Sequence, residues 1–158
     1  MSIATAIEEA RKLIGQEVGL SDWMVIDQER INKFAEATGD FQWIHVDQEK
    51  AAQGPFGTTI GHGFLTISLI PLLGNAVKMP ALDNLKIQMG INYGLNKVRL
   101  LNPVLVNSKV RSRITLQDII EKSPGRILAT YVHSIEIEGQ EKPACIAESL
   151  GMVMVDPD

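Results

Sequence analysis

The chain has 158 residues, 45% hydrophobic and 22% charged, with a formal net charge of −4. That length suits one domain with a core of its own, and the mild acidity argues against nucleic acid or an anionic membrane surface as the main partner. A single cysteine, Cys145, excludes an internal disulfide and a cysteine-rich metal site, and suits a reducing cytoplasm.

The opening residues MSIATAIEEARK carry glutamates and lack the apolar run of a secretory signal. Ile3, Ile7, Ala10 and Ile14 share a helical stripe, which predicts a helix over 3–14. A Thr5/Glu8 capping box would start it and Gly15 would stop it. Val18, Leu20, Trp23 and Val25 read as a strand with an irregularity near Ser21-Asp22. A second helix is predicted from the N-cap Asp27 to Thr38, ended by Gly39, with Ile31, Phe34, Ala35 and Thr38 facing inward.

Residues 39–61 show no sustained periodicity beyond a helical turn or two near Gln48 to Ala52, and long connections of this kind are usually functional. The stretch 63–77 is apolar nearly all round, which predicts a helix that other elements surround, kinked at Pro71. The period then changes to two. Leu85, Ile87, Met89, Ile91 and Tyr93 alternate with polar residues or glycine as a half-buried strand. Asn102-Pro103 breaks the chain, and further strands are predicted near 104–117, 126–137 and 144–155, joined by short antiparallel turns at Ser123-Pro124-Gly125 and Glu138-Gly139-Gln140. The fold class is α+β, one sheet around one apolar helix.

Candidate chemistry gathers between Phe34 and Phe64. Asp40 and His45 lie just after the Gly39 helix end, and Gly61-His62-Gly63 opens the apolar helix. Each taken alone has a plain structural reading: Asp40 as a turn residue, His45 as a hydrogen-bonded histidine, His62 as an orienting group at the helix start, Asp47 as a cap. The lone histidine His133 and Cys145 show no partner pattern, and Cys145 reads as core filling. Lys97 and Arg99 read as a solvated strand face, with coenzyme A phosphates as the alternative ligand.

The run TGDFQWIHVD, followed by Ala51-Ala52, Gly54-Pro55-Phe56-Gly57 and Ile60-Gly61-His62-Gly63-Phe64-Leu65-Thr66, resembles the hydratase motif of MaoC-like proteins. These are the (R)-specific enoyl-CoA hydratases and 3-hydroxyacyl-thioester dehydratases. Gln42-Trp43, where many members carry Asn-Pro, and the segment NYGLNKVRLLNPV are similar to the branch that includes nodulation protein N. The likeness runs from about residue 17 onward. It implies a hot-dog fold over 1–158 with the N-terminal helix packed on it, usually built as a homodimer. It also implies Asp40 and His45 as the catalytic pair, the Gly63 amide as oxyanion donor, and Gln42, Trp43, His62 and Phe64 around the substrate.

The implied activity is hydration of 2-enoyl thioesters, or the reverse dehydration, in cytoplasmic fatty-acid metabolism. The substrate would be an acyl-CoA or acyl-carrier-protein thioester. Such a reaction needs a group that takes a proton from water, one that delivers a proton, and donors for the enolate oxygen. The pair Asp40 and His45 is assigned as a unit, with the order of proton steps left open. No tightly held cofactor is expected, since adding water transfers no electrons. Three other readings stand beside this one: an acyl-thioester hydrolase on the same fold, a non-catalytic acyl-thioester-binding module, and a metal site from Asp40, His45 and Asp47.

Overall fold

A computed structural model describes residues 1–157. Helix α1 (Ile3–Arg11) starts at Ser2, whose Oγ accepts the Thr5 amide at 3.2 Å. The cap is therefore three residues earlier than the predicted one, and the helix stops at Arg11 rather than Ile14. Beyond Arg11 the chain tightens into turns up to Gly15, whose φ is +81° and whose amide is bonded to the Leu116 carbonyl. Ile3, Ala6, Ile7 and Ala10 are buried, while Ile14 is left exposed.

Two short strands follow, β1 (Glu17–Leu20) and β2 (Met24–Val25), with the expected interruption between them. Helix α2 (Gln28–Thr38) has the predicted ends. Asp27 Oδ1 accepts the Arg30 amide at 2.9 Å, and Gly39 turns left-handed at φ +79° with its amide on the Ala35 carbonyl. Ile31 and Ala35 are buried, whereas Thr38 stays exposed and spends its hydroxyl on the Phe34 carbonyl.

The connection 39–61 holds two short helices, α3 (Trp43–Val46) and α4 (Gln48–Ala52). Only the second was legible as a helical turn. The expected long apolar helix is broken into α5 (Gly63–Ser68), α6 (Ile70–Leu73) and a 3-10 turn at Gly74–Ala76. The break falls at Leu69, because Pro71 has no amide to bond back to the Ile67 carbonyl. Nor is this segment surrounded. Leu65, Leu69, Ile70 and Leu73 are buried, yet Phe64 is 72% exposed.

Strands β3 (Ile87–Leu100), β4 (Lys109–Ser123), β5 (Arg126–Ile137) and β6 (Cys145–Val155) complete the sheet. The pairings are antiparallel in the order β1-β4-β5-β6-β3, with β2 also on β4. One face carries the core. Over one end, α1 and the Met79–Leu82 turn pack on Ile114, Leu116, Ile119 and Ile127. Over the other, α5 and α6 pack on Val110, Ile135, Ile137, Cys145 and Ala147. An antiparallel sheet carrying these helices on one face is the α+β hot-dog architecture the sequence led one to expect.

Two strand expectations change. The run assigned to 104–117 begins only at Lys109, because residues before it form a turn around Asn107 at φ +67°, tied by its amide to the Ile26 carbonyl. Strand β3 is not half-buried: it sits at the sheet edge, and Ile87, Met89, Ile91, Tyr93 and Leu95 are 43% to 55% exposed. Among the described residues, no helix is long and apolar enough to cross a membrane.

Candidate active site

The left-handed turn at Gly39 ends α2 and sends the chain back so that Asp40 follows at once. Asp40 is exposed, and its Oδ1 accepts the Gln42 amide at 3.3 Å, which starts α3. His45, on that short helix, is buried. Its Nδ1 lies 2.7 Å from the Ile60 carbonyl. A carbonyl only accepts, so Nδ1 carries the proton and the other ring nitrogen keeps its lone pair. Burial, above all, lowers the His45 pKa from its ordinary value; the Ile60 bond opposes this, His62 adds to it and Asp40 opposes it. A neutral imidazole with an open basic nitrogen is the result.

His62 completes the group. It is buried, its Nε2–H donates to the Asp40 backbone carbonyl at 2.9 Å, and its ring stacks on His45 with centroids 3.9 Å apart and planes 25° from parallel. Its Nδ1 is buried without a hydrogen-bond partner among the described residues. One ligand-type atom each from Asp40, His45 and His62 lie within 4.8 Å of one another. That separation allows one solvent molecule to touch both the carboxylate and an imidazole.

The same trio fits a metal ion poorly. Imidazole lone pairs lie in the ring planes, and two stacked rings send them out nearly side by side rather than converging on one tetrahedral centre. Asp47, the third ligand weighed from sequence, is used elsewhere: it accepts the Lys50 amide at 2.9 Å and caps α4.

His45 lines a cavity of about 240 Å³ together with Gly61, Gly63, Thr66, Leu100, Asn102 and Val104. Gly63 is closely covered there, since a Cβ on it would meet Leu100 Cδ1 at 2.3 Å. Leu100 is half exposed, so this cover is the end of a movable side chain. The amides of Gly63 and Phe64, in the first turn of α5, donate no hydrogen bond among the described residues.

The remaining sequence candidates scatter. Gln42 is exposed at the start of α3, and Phe64 projects outward beside Gly63. Trp43 turns to the α4 loop: Lys50 Nζ sits 4.8 Å from its ring centroid, and a Cβ on Gly54 would strike the ring at 2.9 Å. It does not line the His45 cavity.

Two residues around the site escaped the sequence reading as candidates. Gln28, in the first turn of α2, donates from Nε2 to the His45 carbonyl at 2.7 Å and accepts the Thr59 hydroxyl on Oε1 at 2.5 Å. It thereby ties α2, α3 and the segment leading to Gly61. Nothing local marks a glutamine for that job. Thr66, buried on α5 and facing the cavity, was read only as part of the motif.

Residues 9–136 match the MaoC like domain family. The 3-hydroxyacyl-thioester dehydratase Z of Mycobacterium tuberculosis is 52% identical over 136 residues, spanning 86% of this chain and 87% of its own. Nodulation protein N of Rhizobium leguminosarum bv. viciae is 42% identical over 147 residues, spanning 92% and 89%. Among solved structures, the (R)-hydratase from A. caviae involved in PHA biosynthesis superposes with a TM-score of 0.68 at 25% identity, over 85% of this chain and 95% of that one.

Proposed function

This chain belongs to the MaoC-like domain family, and on that premise we propose that it is a hydro-lyase of acyl thioesters. It adds water to trans-2-enoyl thioesters to give (R)-3-hydroxyacyl thioesters, or runs the reverse dehydration. One observation carries the reading: a carboxylate oxygen of Asp40 and a ring nitrogen of His45 lie within 4.8 Å, close enough to share a single solvent molecule, and the Ile60 carbonyl locks His45 in the tautomer whose other nitrogen is unprotonated. The similarity to a 3-hydroxyacyl-thioester dehydratase and to an (R)-hydratase supports the substrate class and the product hand.

In the hydration direction the pair removes a proton from water as its oxygen bonds to the β-carbon, and a proton is delivered to the α-carbon. A positioned acid or base of this kind is worth about 10²–10⁴-fold. Charge that builds on the thioester oxygen meets the Gly63 amide, which has no competing partner among the described residues and lies at the positive end of α5. For that oxygen to reach it, the Leu100 side chain swings aside. No electrons move, so the chemistry calls for no redox cofactor.

The exposed apolar row on edge strand β3 supports a homodimer in which the two β3 strands meet. A carboxylate-activated water attacking the carbonyl instead would make the protein a thioesterase. Incubation with crotonyl-CoA separates the two: the proposed reaction bleaches the enoyl absorbance, yields (R)-3-hydroxybutyryl-CoA and leaves no free thiol. Thiol release in step with substrate loss, or an (S) product, overturns it.

A further inference from the structure

Across α5 from the His45 cavity lies a second, larger one of about 560 Å³, within the usual size of a small-molecule site. Helix α5 serves both, giving Gly63 and Thr66 to the first and Ile67 to the second. The walls of the larger cavity are mainly apolar, formed by residues such as Ile67, Pro71, Val77, Leu95, Leu150 and Met152. Among the polar residues on its wall are two from β5. Tyr131 and His133, two residues apart and so on the same face of the strand, both line it.

The hydrogen bonding of His133 defines what it offers. The ring is 2% exposed, and its Nδ1 lies 3.0 Å from Ser112 Oγ. Ser112 is fully buried, and its hydroxyl has no other side-chain or backbone acceptor among the described residues. If Nδ1 carried the proton, the serine hydroxyl hydrogen would be stranded. With the serine donating to Nδ1, both groups are satisfied and the imidazole proton sits on Nε2. Burial holds the pKa of His133 down to about 4, so at neutral pH the ring is uncharged and has this single N–H. Neither that N–H nor the Tyr131 hydroxyl is bonded to another described residue, and neither is closed off, since His62 Nδ1 alone among the described residues is a fully buried side-chain polar atom without a partner. Both are donors at a mainly apolar space, which Ser68, Asn75, Asn92 and Ser149 also border.

We propose that this cavity receives the distal part of an acyl chain bearing a hydroxyl, keto or ether oxygen, held by the Tyr131 hydroxyl and His133 Nε2–H, in preference to a plain hydrocarbon tail. A hydrocarbon would leave both donors unpaired, and unpaired donors are what let a polar site reject an isostere lacking the oxygen. This rests on the acyl-thioester reading above. At 1.5 Å per helical residue, the stretch from Gly63 to Gly74 covers about 16 Å. Gly74 lies against His133, with a built Cβ only 3.7 Å from Cε1. The oxygen therefore belongs far from the thioester.

The test uses dodecanoyl-CoA and its analogues with a hydroxyl or keto oxygen at carbon 8, 10 or 12, titrated calorimetrically, with the matching trans-2-enoyl-CoAs assayed for turnover. At one position or more, the oxygenated thioester binds the wild-type protein about tenfold more tightly than the plain one. Tyr131→Phe, which removes only the hydroxyl, cuts that preference to threefold or less, through weaker binding of the oxygenated thioester, tighter binding of the plain one, or both. Equal or weaker binding of every oxygenated chain to the wild-type protein overturns the proposal without reference to any variant. So does a Tyr131→Phe protein that keeps the full preference or loses affinity for both kinds alike. Turnover of plain enoyl-CoAs without an oxygen preference sinks this inference alone. Selective binding with no turnover of any enoyl-CoA sinks the hydratase reading and leaves the cavity's selectivity standing. Absence of both binding and turnover removes both.

Discussion

Asp40→Asn separates chemistry from folding more cleanly than other changes at this site. The side chain is exposed, and its one hydrogen bond among the described residues is the long 3.3 Å contact from the Gln42 amide. An asparagine side-chain oxygen can accept that same bond. The backbone carbonyl that His62 holds is untouched by the substitution. Surface changes of this kind stay within about 0.5 kcal/mol, which for a domain of this size moves Tm by about 2 °C or less. The catalytic cost is of another order. An amide cannot take a proton from water, and a positioned acid or base contributes at least about 10²-fold, equivalent to about 2.7 kcal/mol on the barrier. Saturating crotonyl-CoA, followed by loss of enoyl absorbance, gives kcat, and a thermal melt of the same sample gives Tm. The expected result is a kcat reduced at least a hundredfold at an unshifted Tm. A kcat within a few-fold of wild type would refute the reasoning, and a melt lowered by 10 °C would show that the carboxylate has a structural role.

The remaining predictions concern the supports around that pair. His62→Phe keeps a ring against His45 but loses the bond to the Asp40 carbonyl; kcat/KM should fall about tenfold. Because His62 lowers the His45 pKa, its removal should also move the acid limb of the rate profile to higher pH, and an unmoved limb contradicts the coupling. Gln28→Leu strips the His45 carbonyl and the Thr59 hydroxyl of their partner, at about 2 kcal/mol, or about 4–8 °C in Tm; an unchanged melt would show that this tie carries no load. His133 has a folded-state pKa near 4 against an ordinary 6.5, so the unfolded chain binds the extra proton first. Its contribution to stability is whole above pH 6.5 and is lost as pH falls through about 4, up to about 3 kcal/mol. In His133→Leu, denaturant titrations should lose that share of the acid slope. Ile91→Lys, on the exposed row of β3, should convert a β3-joined dimer to monomer in sedimentation; a dimer that survives it would place the contact elsewhere.

Where a residue's job is done by its neighbours in sequence, it could be read in advance. Asp27 caps the helix that follows it and Gly39 ends it, because both act through backbone groups within four residues. The bounds of β5 and β6 followed from alternation and from the left-handed turn at Gly139. Helix α3 was illegible because its start has no side-chain cap, and Ile44 is held from outside by the Ile60 amide. Alternation also misled at β3. It reports which residues share a face, and an edge strand can present an apolar face to no partner within its own chain.

The candidate site divides the same way. Asp40, His45 and the His62-Gly63 pair could be picked out as a group from the family motif in which they stand together, which their spacing alone would not have singled out. Which nitrogen of His45 stays open, and that His62 stacks on the ring rather than capping the helix, depend on Ile60 and Asp40 approaching from other turns of the chain. Gln28 lies far from His45 in sequence and meets its carbonyl only when α2 packs beside α3, and Tyr131 and His133 reach one cavity with α5 only when the sheet packs on that helix. Local sequence could nominate candidate groups because backbone caps and tight turns are short-range devices. Burial, tautomer and cavity shape are set by long-range packing, and those were decided in three dimensions.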